Sequence, residues 1–310
     1  MKKLFLITGG AGFIGSNLAK RLVDNDNDII IIDDLSSGFK KNIPPSKNIT
    51  FINKKIQDLN FNDVPLPNGI FHLAAQASVP LSIDSFNESS QNNMVSTIVI
   101  FDWAKSNDIP LVYASSSAVY GNLPIGSDLI EKYEILSPYA QDKLSMEHYA
   151  QMMFNVYDMS SIGLRFFNAY GPNQDPKNPY SGVISIFIDQ IKEKKTVTIN
   201  GGYQTRDFIY VDDICNVCIT SMKKIIEEEK TFDILNVGTG NSITIDELFM
   251  IINNLIGGDV NIIRKCLPKG DPEKSSGTYD KLQKTLGISI DDFIDIEKGL
   301  NKTINFFLAK

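Results

Sequence analysis

Tyr139 and Lys143 are the residues of this chain whose types and spacing best suit acid–base chemistry. Pro138 suits the first turn of a helix, and residues four apart on a helix share one face. A phenol ionises at about pH 10 in water, so a tyrosine base needs a fixed cation beside its phenolate. Lys143 can supply that cation. The alternative interpretation is a pair of exposed helix residues, since this spacing is common by chance.

Three serines, Ser115, Ser116 and Ser117, end the apolar segment that precedes this helix. In open α/β sheets, ligands bind beyond the carboxyl ends of the strands. Hydroxyls at that position can hydrogen-bond a substrate oxygen, although serines also cap turns without any ligand. Together with the tyrosine helix, the serines predict a catalytic site.

A glycine-rich turn, with Gly9, Gly12 and Gly15, follows an apolar run and opens a helix-like run. Gly9 and Gly12 would let the backbone turn tightly and approach a pyrophosphate, and Gly15 would let helix and strand pack closely. Taken alone, the glycines also fit a tight turn that binds nothing. The next apolar run ends in Asp33, whose carboxylate can accept both hydroxyls of an adenosine ribose and repels a 2′-phosphate. The pattern therefore favours NAD over NADP.

Short apolar runs alternate with helical patterns through the first half of the chain. We expect strands at 3–8, 28–33, 49–53, 69–73, 110–115 and 161–166, with helices near 13–25, 89–107 and 138–157. This order predicts an α/β fold, a Rossmann-like doubly wound parallel sheet. The pattern changes at a proline-rich polar loop over 173–180. We expect an NAD-binding domain over 1–172, with later returns near 205–240, and a smaller mixed α/β lobe over 173–310.

Composition narrows the class of protein. The chain has 310 residues, 43% of them hydrophobic, and a formal net charge of −7, which argues against nucleic acid or an anionic membrane as a partner. No apolar run approaches membrane-spanning length, so we expect a soluble, cytoplasmic protein. Its cysteines fit a reducing compartment, and Cys215 and Cys218 are expected to be buried small hydrophobes. No metal site is predicted.

These motifs together resemble the extended short-chain dehydrogenase/reductase family, and within it the nucleotide-sugar 4-epimerases. The resemblance covers essentially the whole chain, because the segments 72–80, 165–172 and 206–211 also resemble epimerase segments in order and spacing. It implies NAD as cofactor and a UDP-sugar as substrate. It also implies a homodimer formed through the helices near 89–107 and 138–157.

The resemblance implies a redox-neutral mechanism. Tyr139 would take the proton of the sugar 4-hydroxyl while the carbon 4 hydride passes to the nicotinamide. Ser116 would hydrogen-bond that oxygen, and Lys143 would bind the nicotinamide ribose and lower the tyrosine pKa. The 4-keto sugar would turn over and take the hydride back, so the configuration inverts without net oxidation.

The implied binding residues form two sets. Cofactor contacts fall on Gly9, Gly12, Phe13, Ile14, Gly15, Asp33, Asp34, Asp58, Leu73, Ala74, Ala75, Tyr139 and Lys143. Substrate contacts fall on Ser78, Ser116, Tyr139, Asn168, Arg206, Asp271 and Ser275. Arg206 resembles the diphosphate-binding arginine of the family, and Asn168 its substrate-binding asparagine. Arg165 has two open interpretations, a structural role at a strand end or a direct contact.

The chain departs from the family pattern before Gly270-Asp271. In the family, a second arginine, two residues before a Gly-Asp pair, contacts the diphosphate. Here Pro268 and Lys269 precede the pair, so this arginine is missing, and Lys269 or Arg264 would have to compensate. The resemblance also places Ser116, Ser117 and Ala118 at the positions where related 4,6-dehydratases have a Thr-Asp-Glu sequence. In those enzymes the two acids drive the loss of water. Dehydration therefore lacks its acid and base.

The small Ser275 stands where the family associates a bulky tyrosine with hexoses that lack an N-acetyl group, and the segment 180–184 resembles the N-acetylhexosamine type. We therefore expect UDP-N-acetylglucosamine and UDP-N-acetylgalactosamine first, and UDP-glucose and UDP-galactose second. One alternative is a UDP-glucuronate 4-epimerase or decarboxylase, which should need a cation for the sugar carboxylate. Another is a non-catalytic NAD sensor, which the intact Ser116, Tyr139 and Lys143 disfavour.

Overall fold

The computed structural model describes residues 2–177, 182–193, 196–228, 230–257, 259–268 and 271–309. The strands are β1 (Leu4–Thr8), β2 (Asp28–Ile32), β3 (Ile49–Ile52), β4 (Gly69–His72), β5 (Leu111–Ser116), β6 (Ser161–Phe166), β7 (Asn168–Tyr170), β8 (Val197–Asn200), β9 (Thr205–Tyr210), β10 (Phe232–Val237), β11 (Ser242–Thr244) and β12 (Ile262–Lys265). The helices are α1 (Phe13–Asp24), α2 (Val79–Asp84), α3 (Phe86–Ser106), α4 (Pro138–Tyr157), α5 (Val183–Lys192), α6 (Val211–Glu227), α7 (Ile245–Ile256), α8 (Asp280–Leu286) and α9 (Ile296–Leu308).

The main sheet of the described residues has seven strands in the order β10-β6-β5-β4-β1-β2-β3. β1 pairs in parallel with β2 and β4, β2 with β3, and β4 with β5. Four consecutive isoleucines of β2 are buried, as expected of a strand covered on both faces. The predicted Rossmann-like α/β fold is confirmed. The order reverses between β1 and β4, and ligands of such sheets bind at that switch point.

The chain forms two compact units, and each unit comprises three separate segments of the sequence. The first unit comprises Met1–Ser116, Ser137–Arg165 and Cys215–Leu235, and the second comprises Ser117–Leu136, Phe166–Ile214 and Asn236–Lys310. The domain boundary expected at residue 172 stays a prediction.

The core of the first unit lies between the sheet and its helices. It includes Leu6 of β1, Ile30 of β2, Phe101 of α3 and Met146 of α4, all at most 2% exposed. Helix α4 begins where the sequence predicts it, with Pro138 in its first turn. The Ser137 hydroxyl accepts a hydrogen bond from the Ala140 amide at 3.2 Å and so caps the helix.

The second unit has its own core and two small sheets in the described part of the chain. One sheet has the order β11-β9-β7, and the other pairs β12 with β8. Helices α5, α7 and α9 pack against one another and bury Phe187, Leu248 and Leu300. Neighbouring residues of a strand point to opposite faces, so the side chains of Arg206 and Asp207 on β9 have different neighbours.

Several smaller features named from the sequence can be located in the structure. Cys215 and Cys218 are fully buried in helix α6, as expected of small hydrophobes. The segment 180–184 is described from residue 182 onward, and Tyr180, Ser181, Lys269 and Gly270 lie outside the described residues. None of the helices in the described ranges is long and apolar enough to cross a membrane. Over the same ranges, no group of three or more acidic, histidine or cysteine side chains is arranged to hold a metal.

Candidate active site

Helix α4 brings Tyr139 and Lys143 together in the first unit. Both are buried, with 8% and 2% of the residue exposed, so they are not the surface pair that the alternative interpretation describes. The Lys143 ammonium lies 5.7 Å from the centroid of the Tyr139 ring. It donates a hydrogen bond to the Ala114 carbonyl on β5 at 2.6 Å. This bond ties the helix to the strand that ends in the predicted serines.

The protonation of this pair depends on its burial. Burial raises the pKa of the Tyr139 phenol, a hydrogen bond with the Ser116 hydroxyl lowers it, and the charge of Asp142 raises it again. Burial lowers the pKa of Lys143 to about 8, against the raising effect of Asp142 and Glu147. Ser116 is therefore the group that favours the phenolate in this structure. The expected lowering of the tyrosine pKa by Lys143 stays a prediction.

The backbone before Tyr139 is held by a residue that the sequence patterns did not single out. The Tyr139 amide donates to the Ser82 hydroxyl of α2 at 3.2 Å, and that hydroxyl donates to the Val79 carbonyl at 2.7 Å. Ser82 is fully buried. A first-turn amide of a helix has no partner within the helix, so Ser82 satisfies it and fixes the start of α4.

Arg165 takes the structural alternative left open by the sequence. Its Nε donates to Glu147 Oε1 at 2.8 Å and its Nη2 to Oε2 at 2.6 Å, with both side chains almost fully buried. The Ser115 hydroxyl also donates to Glu147 Oε1, at 2.5 Å. Glu147 lies four residues after Lys143, on the same face of α4. The ion pair therefore anchors the helix to β6, and the Ser115 hydrogen bond anchors it to β5.

The glycine turn is shaped by close backbone contacts. Gly9 has φ of +72°, and a Cβ placed there would lie 2.8 Å from the Ala74 nitrogen. A Cβ at Gly15 would lie 2.2 Å from the Gly9 carbonyl oxygen. At Gly12 the nearest contact is the Gly9 oxygen at 3.2 Å, and Gly12 directly precedes Phe13, where α1 begins. The turn brings Leu73 and Ala74 against Gly9, next to the open amides of a helix N-terminus.

Asp33 lies at this turn. One of its carboxylate oxygens accepts from the Ala11 amide and the other from the Leu35 amide, both at 2.9 Å. Burial raises its pKa, and these two bonds oppose the rise. A carboxylate offers about four acceptor positions, so Asp33 keeps the capacity to accept ribose hydroxyls. The glycine turn, the helix N-terminus and Asp33 fit NAD.

The remaining predicted cofactor residues have different surroundings. Phe13 and Ile14 form the first turn of α1 and are half-buried, as is Ala75 after β4. Asp34 is exposed, and its carboxylate accepts from the amide and hydroxyl of Ser36. Asp58 is exposed in a short turn after β3. Their roles as cofactor contacts stay predictions.

Thr8 joins β1 to the chain after β4, a connection that the sequence analysis missed. Its hydroxyl oxygen accepts from the amides of Leu73 and Ala74, both at 3.2 Å, and lies 2.8 Å from His72 Nδ1. Burial lowers the pKa of His72 to about 3, so its ring is neutral and can accept the Thr8 proton. The threonine therefore sets the position of a segment that is predicted to contact NAD.

In the second unit, three of the seven predicted substrate residues lie on β9 or contact it. Arg206 forms an ion pair with Asp271 through Nη2, and its Nη1 donates to the Thr205 carbonyl at 2.7 Å. The side-chain amide of Asn168 donates to the backbone carbonyl of Asp207 at 3.1 Å. Ser275 is half-buried, and its carbonyl accepts from the Ser242 hydroxyl at 2.8 Å.

Asp207 holds this region together, although the sequence patterns assigned no role to this residue. Its fully buried carboxylate accepts from the amides of Thr239 and Gly240, at 2.9 Å in each case, and from the Tyr279 hydroxyl at 2.5 Å. Tyr279 lies four residues after Ser275. The segment from Asp271 to Tyr279 is thus fastened to β9 at both ends.

Two predicted residues are engaged in local roles. The Ser78 hydroxyl accepts from the Leu81 amide at 3.1 Å and caps α2. Arg264, one of the two residues expected to replace the arginine missing before Gly270-Asp271, donates to the half-buried Asp246 at 2.8 Å in the second unit. Their roles in substrate binding stay predictions.

Comparison with known proteins identifies the family of the chain. Residues 5–238 match the NAD dependent epimerase/dehydratase family. UDP-glucose 4-epimerase of Mycolicibacterium smegmatis is 31% identical over 98% of both chains. Among solved structures, UDP-N-acetylglucosamine 4-epimerase from Methanobrevibacter ruminantium in complex with UDP-N-acetylmuramic acid is 35% identical, with a TM-score of 0.92 over 100% of this chain and 99% of that chain.

UDP-glucose 4-epimerase from Thermotoga maritima with UDP-glucose is 30% identical, with a TM-score of 0.91 over 99% of both chains. The likeness therefore extends well beyond the glycine turn, through helix α4 and the second unit. This protein belongs to the NAD-dependent epimerase/dehydratase family and is an enzyme whose cofactor is NAD.

Proposed function

We propose that this enzyme inverts the carbon 4 hydroxyl of a UDP-hexose, with UDP-N-acetylglucosamine and UDP-N-acetylgalactosamine as its main substrates. The observation that carries the proposal is the buried group on α4 and β5, in which Ser116 hydrogen-bonds Tyr139 and Lys143 lies over the tyrosine ring. A phenol held between a hydroxyl and an ammonium can exchange a proton with a sugar hydroxyl.

The residues of this chain have separate roles in the proposed reaction. Tyr139 takes the proton of the 4-hydroxyl and returns it to the same oxygen when the 4-keto sugar, turned over in the site, is reduced on its other face. Ser116 donates to the same sugar oxygen and keeps it near the phenol, while Lys143, fixed by the Ala114 carbonyl, favours the phenolate. Bound NAD would both accept and return the carbon 4 hydride, so the reaction needs no external oxidant.

Arg206 and Asn168 serve the nucleotide part of the substrate in this proposal. The planar guanidinium of Arg206 suits a diphosphate, and its ion pair with Asp271 and bond to the Thr205 carbonyl hold the group in one orientation. Asn168 is fixed by the Asp207 carbonyl on β9. The substrate contacts implied for Ser78 and Asp271 belong to the same proposal.

The choice of an N-acetylated sugar rests on two supports. Ser275 is small and half-buried, which leaves space that a tyrosine would fill. A related enzyme of similar structure is named for UDP-N-acetylglucosamine and was solved with UDP-N-acetylmuramic acid, a 2-acetamido sugar nucleotide. UDP-glucose and UDP-galactose are proposed as secondary substrates, since other relatives are named for UDP-glucose.

A substrate panel tests the proposal. The purified enzyme is incubated with UDP-N-acetylglucosamine, UDP-glucose and UDP-glucuronate, and the products are separated by chromatography. We expect UDP-N-acetylgalactosamine as the fastest-forming product and UDP-galactose as a slower one. If UDP-glucuronate alone is converted, with or without loss of carbon dioxide, the proposed function is wrong and the enzyme is a UDP-glucuronate decarboxylase or 4-epimerase. Absence of turnover on every UDP-sugar, with NAD bound, would contradict it.

A cytoplasmic homodimer is part of the same proposal. Helices α3 and α4 pack against each other and carry apolar side chains that are at least 38% exposed, namely Val95, Ile98, Met152 and Val156. Such side chains on a helix pair are typical of a surface that meets a second copy. Val95→Glu with Val156→Glu should convert the dimer to a monomer in sedimentation velocity. A wild-type monomer at all concentrations would remove this part of the proposal.

A further inference from the structure

Asp142 is a buried carboxylate that the proposed mechanism does not use. It lies on α4 three residues after Tyr139 and directly before Lys143, and only 5% of the residue is exposed. Its two carboxylate oxygens lie 2.9 and 3.1 Å from the Ser90 hydroxyl, which donates. One of them also accepts a hydrogen bond from the side-chain amide of Asn93 at 3.1 Å. Burying a carboxylate is costly unless it has such partners. Both donors are neutral, so they hold Asp142 without cancelling its charge.

The position of Asp142 links it to the catalytic pair. Ser90 and Asn93 lie one turn apart on α3, which packs against α4. On α4, Tyr139 lies one turn before Asp142, and residues three apart on a helix are neighbours on its surface. The carboxylate thus fastens the catalytic helix to α3 and places a negative charge beside both members of the pair.

Two other titratable groups lie near the pair, namely Glu147, which is paired with Arg165 but still raises the pKa of Lys143, and the neutral His72. Glu147, on the same helix, is held by Arg165 from β6 through two hydrogen bonds. His72, on β4, is neutral because burial lowers its pKa to about 3. The contacts described from α2 and α3 come from the neutral Ser82 and from the Ser90 and Asn93 side chains that hold Asp142.

We propose that Asp142 is a positioning residue that sets the pH range in which Tyr139 and Lys143 act, an inference that rests on the proposed role of Tyr139 as the base. A negative charge beside a phenol opposes the loss of its proton, and beside an ammonium it favours keeping the proton. Both effects have the same sign. Asp142 therefore moves the whole range of activity to higher pH, whereas a residue that only packs two helices would change the height of the profile and leave its position unchanged.

The directions of the pKa shifts agree with this. The charge of Asp142 raises the pKa of Tyr139 and also that of Lys143. Burial raises the pKa of Asp142 itself, while Asn93, Ser90 and Lys143 lower it. When the charge is removed, the phenol loses its proton at lower pH, and the ammonium also loses its proton at lower pH. The acidic and alkaline limits of activity should then move together.

The test is the pH profile of kcat for the NAD-loaded enzyme with Asp142→Asn. Asparagine keeps the size of the side chain and one oxygen that accepts from Ser90. We expect both limits of the profile to move to lower pH by on the order of one unit, the effect of one charge nearby at an effective dielectric constant of about 20. Unmoved limits with a lower maximum would overturn the proposal and leave a packing role only.

Two matched variants separate charge from packing. Asp142→Glu keeps the charge and changes the length, so its limits should stay near the wild-type values whatever the height of its profile. Ser90→Ala removes one donor and keeps the charge, so its limits should also stay. Asp142→Ser removes the charge with a smaller side chain and replaces the asparagine variant if that one does not fold. A shift in Asp142→Glu as large as in Asp142→Asn would contradict the proposal.

An optical titration separates this inference from the proposed function. The ultraviolet difference absorbance of phenolate, taken as NAD-loaded enzyme minus its Tyr139→Phe variant, follows ionisation of Tyr139 without any substrate. With Asp142→Asn, the titration should move to lower pH. If it moves while no UDP-sugar turns over, the proposed function fails and the inference stands. If turnover occurs and the titration does not move, the inference fails alone.

Discussion

Arg165 and Glu147 form a buried ion pair that joins β6 to the catalytic helix through two parallel hydrogen bonds of 2.8 and 2.6 Å. Glu147→Gln would leave the guanidinium buried without its charged partner, which costs about 3–5 kcal/mol. We expect a loss of that size in the free energy of unfolding measured by urea titration. As a control, Asp24→Asn breaks the exposed pair with Lys20 and should change stability little. A loss below about 1 kcal/mol for Glu147→Gln would contradict the structural role.

Tyr139→Phe should leave UDP-sugar and NAD binding nearly unchanged and lower kcat by roughly a hundredfold to ten-thousandfold. The phenyl ring keeps the buried packing and removes only the group that exchanges a proton. Calorimetric titration measures the binding, and product chromatography measures kcat. Tyr157→Phe, at an exposed tyrosine of the same helix, is the matched control and should have wild-type turnover. A Tyr139→Phe enzyme with the wild-type rate would show that another group is the base.

Two glycine variants should have different effects on the turn. Gly15→Ala places a methyl group 2.2 Å from the Gly9 carbonyl oxygen, so we expect a large fall in melting temperature. Gly12→Ala meets the same oxygen at 3.2 Å, so the fold should persist while NAD affinity falls, because the methyl group would occupy the approach of the pyrophosphate. Wild-type NAD affinity in Gly12→Ala would show that the cofactor does not approach this residue.

NAD should bind far more tightly than NADP, because the Asp33 carboxylate would face the 2′-phosphate with unfavourable charge. Competition binding at a fixed salt concentration measures the ratio of affinities. Asp33→Ser removes the charge and should narrow the ratio mainly by weakening NAD binding. The carboxylate also binds the amides of Ala11 and Leu35, so the melting temperature of the variant must be followed. Equal affinities of the wild-type enzyme for the two cofactors would contradict the role of Asp33.

Ser275→Tyr should suppress turnover of the N-acetylated substrates and spare UDP-glucose. A phenol ring would fill the space that the serine leaves, and overpacking costs about 1–3 kcal/mol. That range corresponds to roughly tenfold to over a hundredfold in the ratio of kcat/KM values. Ser276→Ala, at the next residue, serves as a control for disturbance of the segment. An unchanged substrate ratio in Ser275→Tyr would place the serine outside the sugar pocket.

The sequence predicted features that depend on residues close together in the chain. The glycine turn, the start of α4 and the order of the first six strands all follow from local spacing, capping residues and apolar runs. The family that the sequence motifs resemble is confirmed. These signals suffice because each element is specified within a few residues of itself.

The sequence did not predict the polar contacts that fix the catalytic helix. Asp142 meets Ser90 across 52 positions, and Tyr139 meets Ser82 across 57. Nothing in the local spacing of these residues distinguishes them from ordinary helix positions. Their pairing follows only from the packing of α2, α3 and α4, which is a tertiary property. The hydrogen bond between Tyr279 and Asp207, which lie 72 positions apart, also depends on tertiary packing and not on local spacing.

The interleaving of the two units has a consequence for biosynthesis. Strand β10, at the edge of the main sheet beside β6, is translated more than sixty residues after β6. Until β10 leaves the ribosome, β6 has an edge of unpaired backbone groups, which is a template for aggregation. A fragment that ends at residue 172 would keep that edge permanently. We therefore expect such a fragment to be poorly soluble, and a chaperone that shields β6 to improve the yield of the full chain.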